Sequence, residues 1–451
     1  MLKTVTINNT LLSVLRINNI YPVRYAHHMC KILVVGGGTG GCTMAAKLSR
    51  KFDKAPNHVI VVEPSEVHYY QPLYTLIGGG IKNFDASKRS MKDVLPVKAQ
   101  WFKEEVISFE PNENKVTISN GDIVQYEHMI VAMGLQLYWD KLPGLLEGLK
   151  NSESQVCSIY GPDTVSKVFD KIKNTNEGNA IFTFPNTPVK CPGAPQKIAY
   201  LSEDYWRRKN KRNKVNVVYN TSLPVIFGVK KYADALWEVC NRRNIKVNLQ
   251  TNLIEIRPDK KEAVFQNLAK PENKYTVQYS MIHVTPPMGA PEILKKHTML
   301  TNEAGFLDVN PQTLQHTKFK NIYGLGDCTN SPNSKTMAAI ASQSKVLYKN
   351  ILSNIAGKKM KHAYNGYASC PLVTAPGKCI LAEFDYKLQP QESFPVNQSK
   401  ELYSMYLLKK YFFPFLYWHL MLKGYWNGPE MFRKIFSLIK KKDAISGAMK
   451  Q

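Results

Sequence analysis

Acidic residues are scarce in this chain of 451 residues: 35 Asp and Glu stand against 60 Lys and Arg, a formal net charge of +25. A charge of that size suits nucleic acid, an anionic membrane surface or acidic small molecules. The chain has no RNP-like segment, no zinc finger and no Arg-rich helix of nucleic-acid spacing, so nucleic acid is not an expected partner. Nor does any CxxC pair occur among the eight cysteines, which excludes the usual zinc patterns, and no metal site is expected. Eight cysteines in so long a chain are no disulfide scaffold, and a disulfide here is expected to be catalytic. Long apolar runs are missing too. Phe412 to Leu422 comes nearest, but it is short and contains Pro414 and His419, so no spanning helix is expected.

The want of acid is most extreme at the start, where the first acidic residue is Asp53. Residues 1–28 carry Lys3, Arg16 and Arg24 among hydroxyl residues and a scatter of leucines. Such a leader reads as a mitochondrial transit peptide, because a secretory signal needs a compact apolar core. A frayed N-terminus is the plainer alternative.

The length favours two or three domains. The apolar strand Lys31-Ile32-Leu33-Val34-Val35 runs into Gly36-Gly37-Gly38-Thr39-Gly40-Gly41 and then a helical segment. In this GxGxxG pattern Gly36 makes the turn, Gly38 admits a pyrophosphate and Gly41 lets helix pack on strand. The helix N-terminus, at Thr39 and Gly40, then faces the phosphates. A second strand, Val59 to Val62, ends in Glu63, which is suited to ribose hydroxyls. Tyr126 to Gly134 resembles the segment that closes the FAD domain of two-dinucleotide-domain flavoproteins. Asn321 to Asp327 resembles their late strand, whose terminal acid meets the cofactor, although Asp327 alone could be a helix N-cap. FAD is therefore expected, in a domain interrupted by another.

The inserted part repeats strand–helix alternation. Strands are expected at 180–184, 215–219, 246–249 and 281–285, with helices near 196–208 and 232–243 and a hairpin-like stretch to Phe265. The glycine loop of a nicotinamide domain is missing after its first strand. In its place stands Pro185-Asn186-Thr187-Pro188-Val189-Lys190-Cys191-Pro192-Gly193-Ala194-Pro195, and prolines supply no N–H to a phosphate. The second strand ends in Tyr219-Asn220 rather than an acid. Cys191 follows a strand's carboxyl end, where such sheets place ligands, with Lys190 before it and a helix just beyond. A lone cysteine is as readily a small core residue.

FPNTPVKCPGAPQK (184–197), HYYQPLYTLIGGG (68–80), FGVKKYADAL (227–236), GLGDCTN (324–330), SCPLVT (369–374) and ILAEFDY (380–386) together resemble the mitochondrial sulfide:quinone oxidoreductase family. The resemblance implies an α/β fold of two Rossmann-like dinucleotide-binding domains, the FAD domain discontinuous, plus a C-terminal membrane-associating amphipathic helical region. The implied division is 1–28 transit peptide, 29–155 and 301–370 FAD domain, 156–300 second domain, and 371–451 quinone and membrane-interface region. It implies a catalytic pair, Cys191 and Cys370, both placed in loops. Hydrogen sulfide would open their disulfide, Cys191 would pass two electrons to FAD and on to ubiquinone, and Cys370 would hold sulfane sulfur for glutathione or sulfite. Gln71, Val106, Gly134 and Lys335 join Gly36, Gly38, Thr39, Gly40, Gly41, Glu63 and Asp327 as expected FAD contacts. Cys42, Cys240, Cys328 and Cys379 are expected to be spectators, with Cys157 left open.

From Lys400 onward ten basic residues oppose three acidic ones, with Phe412, Phe413, Phe415, Tyr417, Trp418, Tyr425 and Trp426 interleaved with Lys409, Lys410, Lys423, Arg433, Lys434 and Lys440 to Lys442. This segment is expected to lie peripherally on the matrix side of the mitochondrial inner membrane, lysines on headgroup phosphates. An ordinary amphipathic helix pair packed on the FAD domain is the alternative. A type II NADH:quinone oxidoreductase would share the architecture but needs the missing glycine loop. A non-catalytic FAD-binding redox or interaction protein would not need the paired cysteines.

Overall fold

A computed structural model describes residues 26–53 and 58–436. The apolar runs Ile32–Val35 and Val59–Val62 pair in parallel inside a seven-stranded sheet. Its path is Gln100–Phe102, Val59–Val62, His27–Val35, Ile123–Val131, Lys115–Ile118 and Val106–Glu110. Strands covered on both faces read as continuous rather than alternating apolar runs. Strand Ile123–Val131 pairs with His27–Val35 along one edge and is shared between two partners along the other. Its first three residues pair antiparallel with Lys115–Thr117, and Met129–Val131 pair in parallel with Ile322–Gly324. A segment beyond residue 300 thus returns to the first sheet, and that unit is discontinuous in sequence. The first strand opens at His27, where His27 and His28 pair with Ile123 and Val124, so folded structure begins inside the span read as a leader. Residues 1–25 of that leader lie outside the described residues.

The inserted unit is a parallel sheet in the order Val156–Cys157, Met281–His283, Gly178–Phe184, Val215–Thr221 and Lys246–Asn248. Helices Ala194–Arg208 and Lys230–Arg242 connect its strands. The expected hairpin is instead a three-stranded antiparallel sheet, Thr251–Arg257, Glu262–Asn267 and Lys270–Gln278. Its last strand is almost wholly exposed, so it lacks the apolar alternation that marks a half-buried strand.

Cys370 lies within strand Ala368–Ala375, opposite Ala382 of Lys378–Phe384, not in a loop. A boundary at 370 would cut this hairpin. From Tyr403 to Met421 the backbone forms one continuous helix in which α turns alternate with the wide turns Leu408–Phe412 and Tyr417–Met421. Pro414 has no N–H and its ring crowds the carbonyl four residues before it; the wide turn just upstream accommodates both.

Helix Thr39–Lys51 is pressed onto its strand at Gly41, where an added Cβ would stand 1.8 Å from the Gly36 carbonyl oxygen. Gly36 itself holds φ +98°, which a side chain would oppose. Gly41→Ala is expected to lower unfolding stability by about 2–3 kcal/mol through overpacking. Denaturant titration measures this, and an unchanged midpoint would show that helix and strand separate freely.

Candidate functional site

One cavity of about 390 Å3 runs from the first glycine loop, past Cys191, to the C-terminal helix. At its loop end lie Gly37, Gly38, Thr39 and Gly40. Gly38 precedes the helix without a side-chain cap, and no acid stands in the first turn, so unpaired N–H groups face the cavity. A Cβ on Gly38 would meet only the Ala132 oxygen at 3.9 Å, and one on Gly134 would meet nothing within 4 Å. These are open cradles of the kind a pyrophosphate needs. Glu63 accepts from Gly37 N at 2.5 Å and Ser65 N at 2.8 Å, while burial pushes its carboxyl up. Gln71, Gly134, Asp327 and Lys335 also line the cavity. Burial raises the Asp327 carboxyl, with Lys335 and Lys190 opposing. The residue that caps the following helix, Met337–Ile355, is Thr336, so Asp327 is no helix cap. Gly36 and Gly41 serve the turn and the helix contact rather than the lining. Val106 does not line the cavity either: its side chain sits in a separate core with Phe109, Val116 and Ile118.

Cys191 lines the middle of the cavity, and buried Cys370 shares the Lys197 ammonium with it. Cys191 has φ +51°, a left-handed conformation that costs a non-glycine residue roughly 1–3 kcal/mol. It is held there by bonds from its N–H to the Lys335 carbonyl (2.8 Å) and from Ala194 N to its own carbonyl (2.8 Å). The first of these ties the proline-rich loop to the FAD-side segment. Gly193 makes the approach possible, since a Cβ there would stand 2.7 Å from Cys370 Sγ and 2.7 Å from Leu372 Cδ2.

Lys197, on the first helical turns beyond the loop, supplies the charge that sequence reasoning attributed to Lys190. Its Nζ donates to Cys191 Sγ at 3.4 Å and to Cys370 Sγ at 3.8 Å, and the residue is 1% exposed. A hydrogen bond from Cys370 holds Cys191 well below the usual thiol range; burial opposes this, and the Lys197 and Lys409 ammonium groups add to it. The same bond and burial push Cys370 well up. Burial opposes the Lys197 charge, but the two sulfurs outweigh it and raise Lys197. Burial lowers Lys190 to about 8, with the charges of Asp327 and then Cys191 opposing. The signal for Lys197 was present in the sequence, six residues past Cys191 on the helix that the loop enters.

Lys409 is a second correction. Instead of resting on headgroups it is buried, lines the cavity and donates to the Pro72 carbonyl at 2.7 Å. Burial and the neighbouring Lys197 charge take it down to about 8. Tyr417 and Trp418 are likewise buried rather than interfacial. Tyr417 Oη lies 2.8 Å from Thr39 Oγ1 and 2.6 Å from His68 Nε2, and His68 Nδ1 lies 3.0 Å from the Gly37 oxygen. Burial lowers His68 to about 4. Phe413, Leu416, Trp426 and Phe432 form the apolar end of the cavity, while Tyr403, Leu407, Tyr411 and Phe415 are exposed along the same helix at four-residue spacing. Lys440 to Lys442 lie outside the described residues.

Like Cys370, the other cysteines named above do not line the cavity. Burial pushes Cys157 and Cys379 up to about 12 and Cys240 and Cys328 to about 11, and raises Cys42, which donates to the Gly37 carbonyl at 3.0 Å. Buried thiols of this kind are inert.

A family described as pyridine nucleotide-disulphide oxidoreductase matches residues 30–167. A protein of Mus musculus named sulfide:quinone oxidoreductase, mitochondrial, is 49% identical over 408 residues, covering 90% of each chain. One of the same name from Dictyostelium discoideum is 45% identical, covering 90% of this chain and 88% of its own. The X-ray structure of the sulfide:quinone oxidoreductase of Aquifex aeolicus superposes with a TM-score of 0.73 at 19% identity, covering 88% of this chain and 92% of that one.

Removing the Lys197 charge takes away a cation that lowers Cys191. In anaerobically reduced Lys197→Met, the pH at which Cys191 becomes reactive to iodoacetamide is therefore expected to move upward. Peptide mass spectrometry of the alkylated chain reads it. An unmoved midpoint would show that Lys197 does not hold the anion.

Proposed function

The chain belongs to the sulfide:quinone oxidoreductases, and from that membership we propose that Cys191 and Cys370 carry the sulfur chemistry of an FAD-dependent enzyme of the mitochondrion. Sulfide and quinone are its substrates. The observation that carries the residue assignment is the single buried ammonium of Lys197 placed against both sulfurs. The open cradles at Gly38 and Gly134 and the uncapped helix start at Thr39 suit the FAD pyrophosphate, with Glu63 for the ribose and Asp327, Lys335 and Gln71 along the rest. When bound, FAD supplies a two-electron acceptor that connects sulfur to quinone.

The residues' own part begins from the Cys191–Cys370 disulfide. Hydrosulfide, drawn by Lys197 and Lys409, attacks the Cys370 sulfur; a new S–S bond forms as the old one breaks, leaving a persulfide on Cys370 and a thiolate on Cys191. This direction follows from the leaving group, because the thiol of lower pKa departs faster, and Cys191 is the lowered one. The Lys197 ammonium compensates the thiolate in a dry site. A small thiol or sulfite acceptor, glutathione or sulfite itself, then takes the sulfane sulfur, and Cys370 is left as a thiolate. The disulfide re-forms as two electrons leave the pair.

Ubiquinone reaches the site through the apolar end formed by Phe413, Leu416, Trp426 and Phe432. The exposed face of Tyr403, Leu407, Tyr411 and Phe415 rests in the inner membrane on its matrix side, with Lys82 over the Tyr411 ring and Arg89 over that of Trp418. No helix among the described residues is long and apolar enough to cross a membrane, which fits peripheral attachment.

Cys191→Ser and Cys370→Ser are each expected to lose about a thousandfold or more of sulfide-dependent quinone reduction while remaining yellow. Sulfide added anaerobically should bleach the flavin of the parent, and NADH should not. Retained turnover in either variant would remove that residue from the mechanism, and bleaching by NADH would return the chain to the nicotinamide-dependent quinone reductases.

A further inference from the structure

At the end of the exposed helix face, a second cleft of about 280 Å3 opens between three segments: the last turns of helix Thr39–Lys51, the loop Val94–Lys98, and the turn Lys423–Tyr425. Its lining includes Ala46, Ser49, Arg50, Val97, Lys98 and Lys423, and no carboxylate. Arg50 donates to the carbonyls of Lys423 and Gly424 and lies over the Tyr425 ring at 4.4 Å. Lys423 donates to the carbonyls of Asp93 and Val94. Lys98 pairs with Asp53 at 3.2 Å. An arginine has five N–H donors and a lysine three, so each cation keeps donors beyond these bonds. Close by, buried Lys47 donates to Gly424 and Asn427, and burial together with the Arg50 and Lys345 charges lowers it to about 8. Positive charge is therefore crowded here, with Asp53 as its one acidic partner at the cleft itself among the described residues.

Two further observations point to a ligand. Ser49 is 2% exposed, lines the cleft, and its Oγ has no hydrogen-bond partner among the described residues. Burying a hydroxyl without a partner is unfavourable, so the site is incomplete as it stands. Beside this polar floor, Val97 is fully exposed at the tip of its loop and Tyr425 is largely exposed. The Tyr425 N–H bonds the carbonyl of Leu420, an exposed residue in the last turn of the helix that carries the apolar face, so the cleft's Lys423–Tyr425 turn is fixed to that helix.

We infer that this cleft is a binding site for the phosphate headgroup of an anionic phospholipid. The phosphate sits among Arg50, Lys98 and Lys423, with one oxygen, or a water it brings, completing Ser49. The acyl chains leave past Val97 and Tyr425 into the layer occupied by the helix face. Phosphate chemistry alone would admit a soluble phosphate; the exposed apolar residues at the mouth select the lipid. The inference rests on the membrane contact proposed above, and it adds a headgroup preference that the aromatic face alone does not require.

The test uses the full-length holoenzyme and vesicles of phosphatidylcholine, alone or with phosphatidylglycerol at fixed ionic strength, read by co-sedimentation. The parent should bind both and prefer the anionic vesicles. Ser49→Ala, which removes no charge, should weaken binding to anionic vesicles about fivefold and leave phosphatidylcholine binding unchanged. Lys98→Gln should do the same, by about fivefold. FAD content and turnover with a short-chain quinone in detergent should match the parent and so show that both variants fold. Inorganic phosphate, titrated calorimetrically, should bind far more weakly than the anionic vesicles. If both variants keep the parent's preference, the headgroup site is refuted while the membrane contact stands. If the parent ignores phosphatidylcholine as well as the anionic vesicles, the membrane contact itself fails. Tight phosphate binding lost in Ser49→Ala, without any vesicle preference, would replace the lipid by a soluble anion.

Discussion

The charge of Lys197 in the interior is the constraint around which the rest of the site is arranged. An ammonium group with almost no access to water needs a compensating anion, and no carboxylate approaches it among the described residues; its partners are two sulfurs. Every local oddity of the loop serves that encounter. The left-handed Cys191 turns its side chain toward the helix that carries Lys197, Gly193 leaves room for Cys370, and the 368–375 strand brings Cys370 in from the far side of the sequence. Lys409 then stands beside a cation already matched. Two ammonium groups compete for one sulfur anion, and the one lowered to about 8 is the one that can release a proton near neutral pH.

Much of this architecture was legible in the sequence because it rests on short-range rules. A strand running into GxGxxG and a helix can be read from spacing, and the structure has Gly36 in the turn, Gly41 where helix meets strand, and open space at Gly38. The alternation of strands and helices in the second unit was legible for the same reason. Less local features were not. Strand Lys270–Gln278 carries charges on an exposed face and shows no period. Cys370 looked like a loop residue because of its neighbouring Pro371, yet the strand tolerates that proline in its hairpin.

The lysines are the sharpest case. Chain neighbours suggested Lys190 as the partner of Cys191, but a helix of 3.6 residues per turn carries a more distant residue back over the loop, and Lys197 occupies that position. Lys409 was read by composition as one of a set of surface cations. Helix neighbours diverge by about 100°, and Lys409 lies opposite the exposed row of Tyr403, Leu407, Tyr411 and Phe415: it enters the cavity, whereas Lys410 lies beside Tyr406 and Tyr411. Composition alone does not tell the two lysines apart.

The same helix has a mechanical consequence through Tyr417. The Gly37 carbonyl can only accept, so His68 donates from Nδ1 and must accept at Nε2; Tyr417 therefore donates to His68, and Thr39 donates to Tyr417. Because His68 is lowered to about 4, this order of donors holds throughout physiological pH. The Thr39 hydroxyl proton is spent on the helix, so the donors left at the start of helix Thr39–Lys51 are its backbone N–H groups. Helix and glycine loop are thereby tied together: a tilt or pull imposed on the helix from outside is delivered, through three side chains, to the backbone at Gly37.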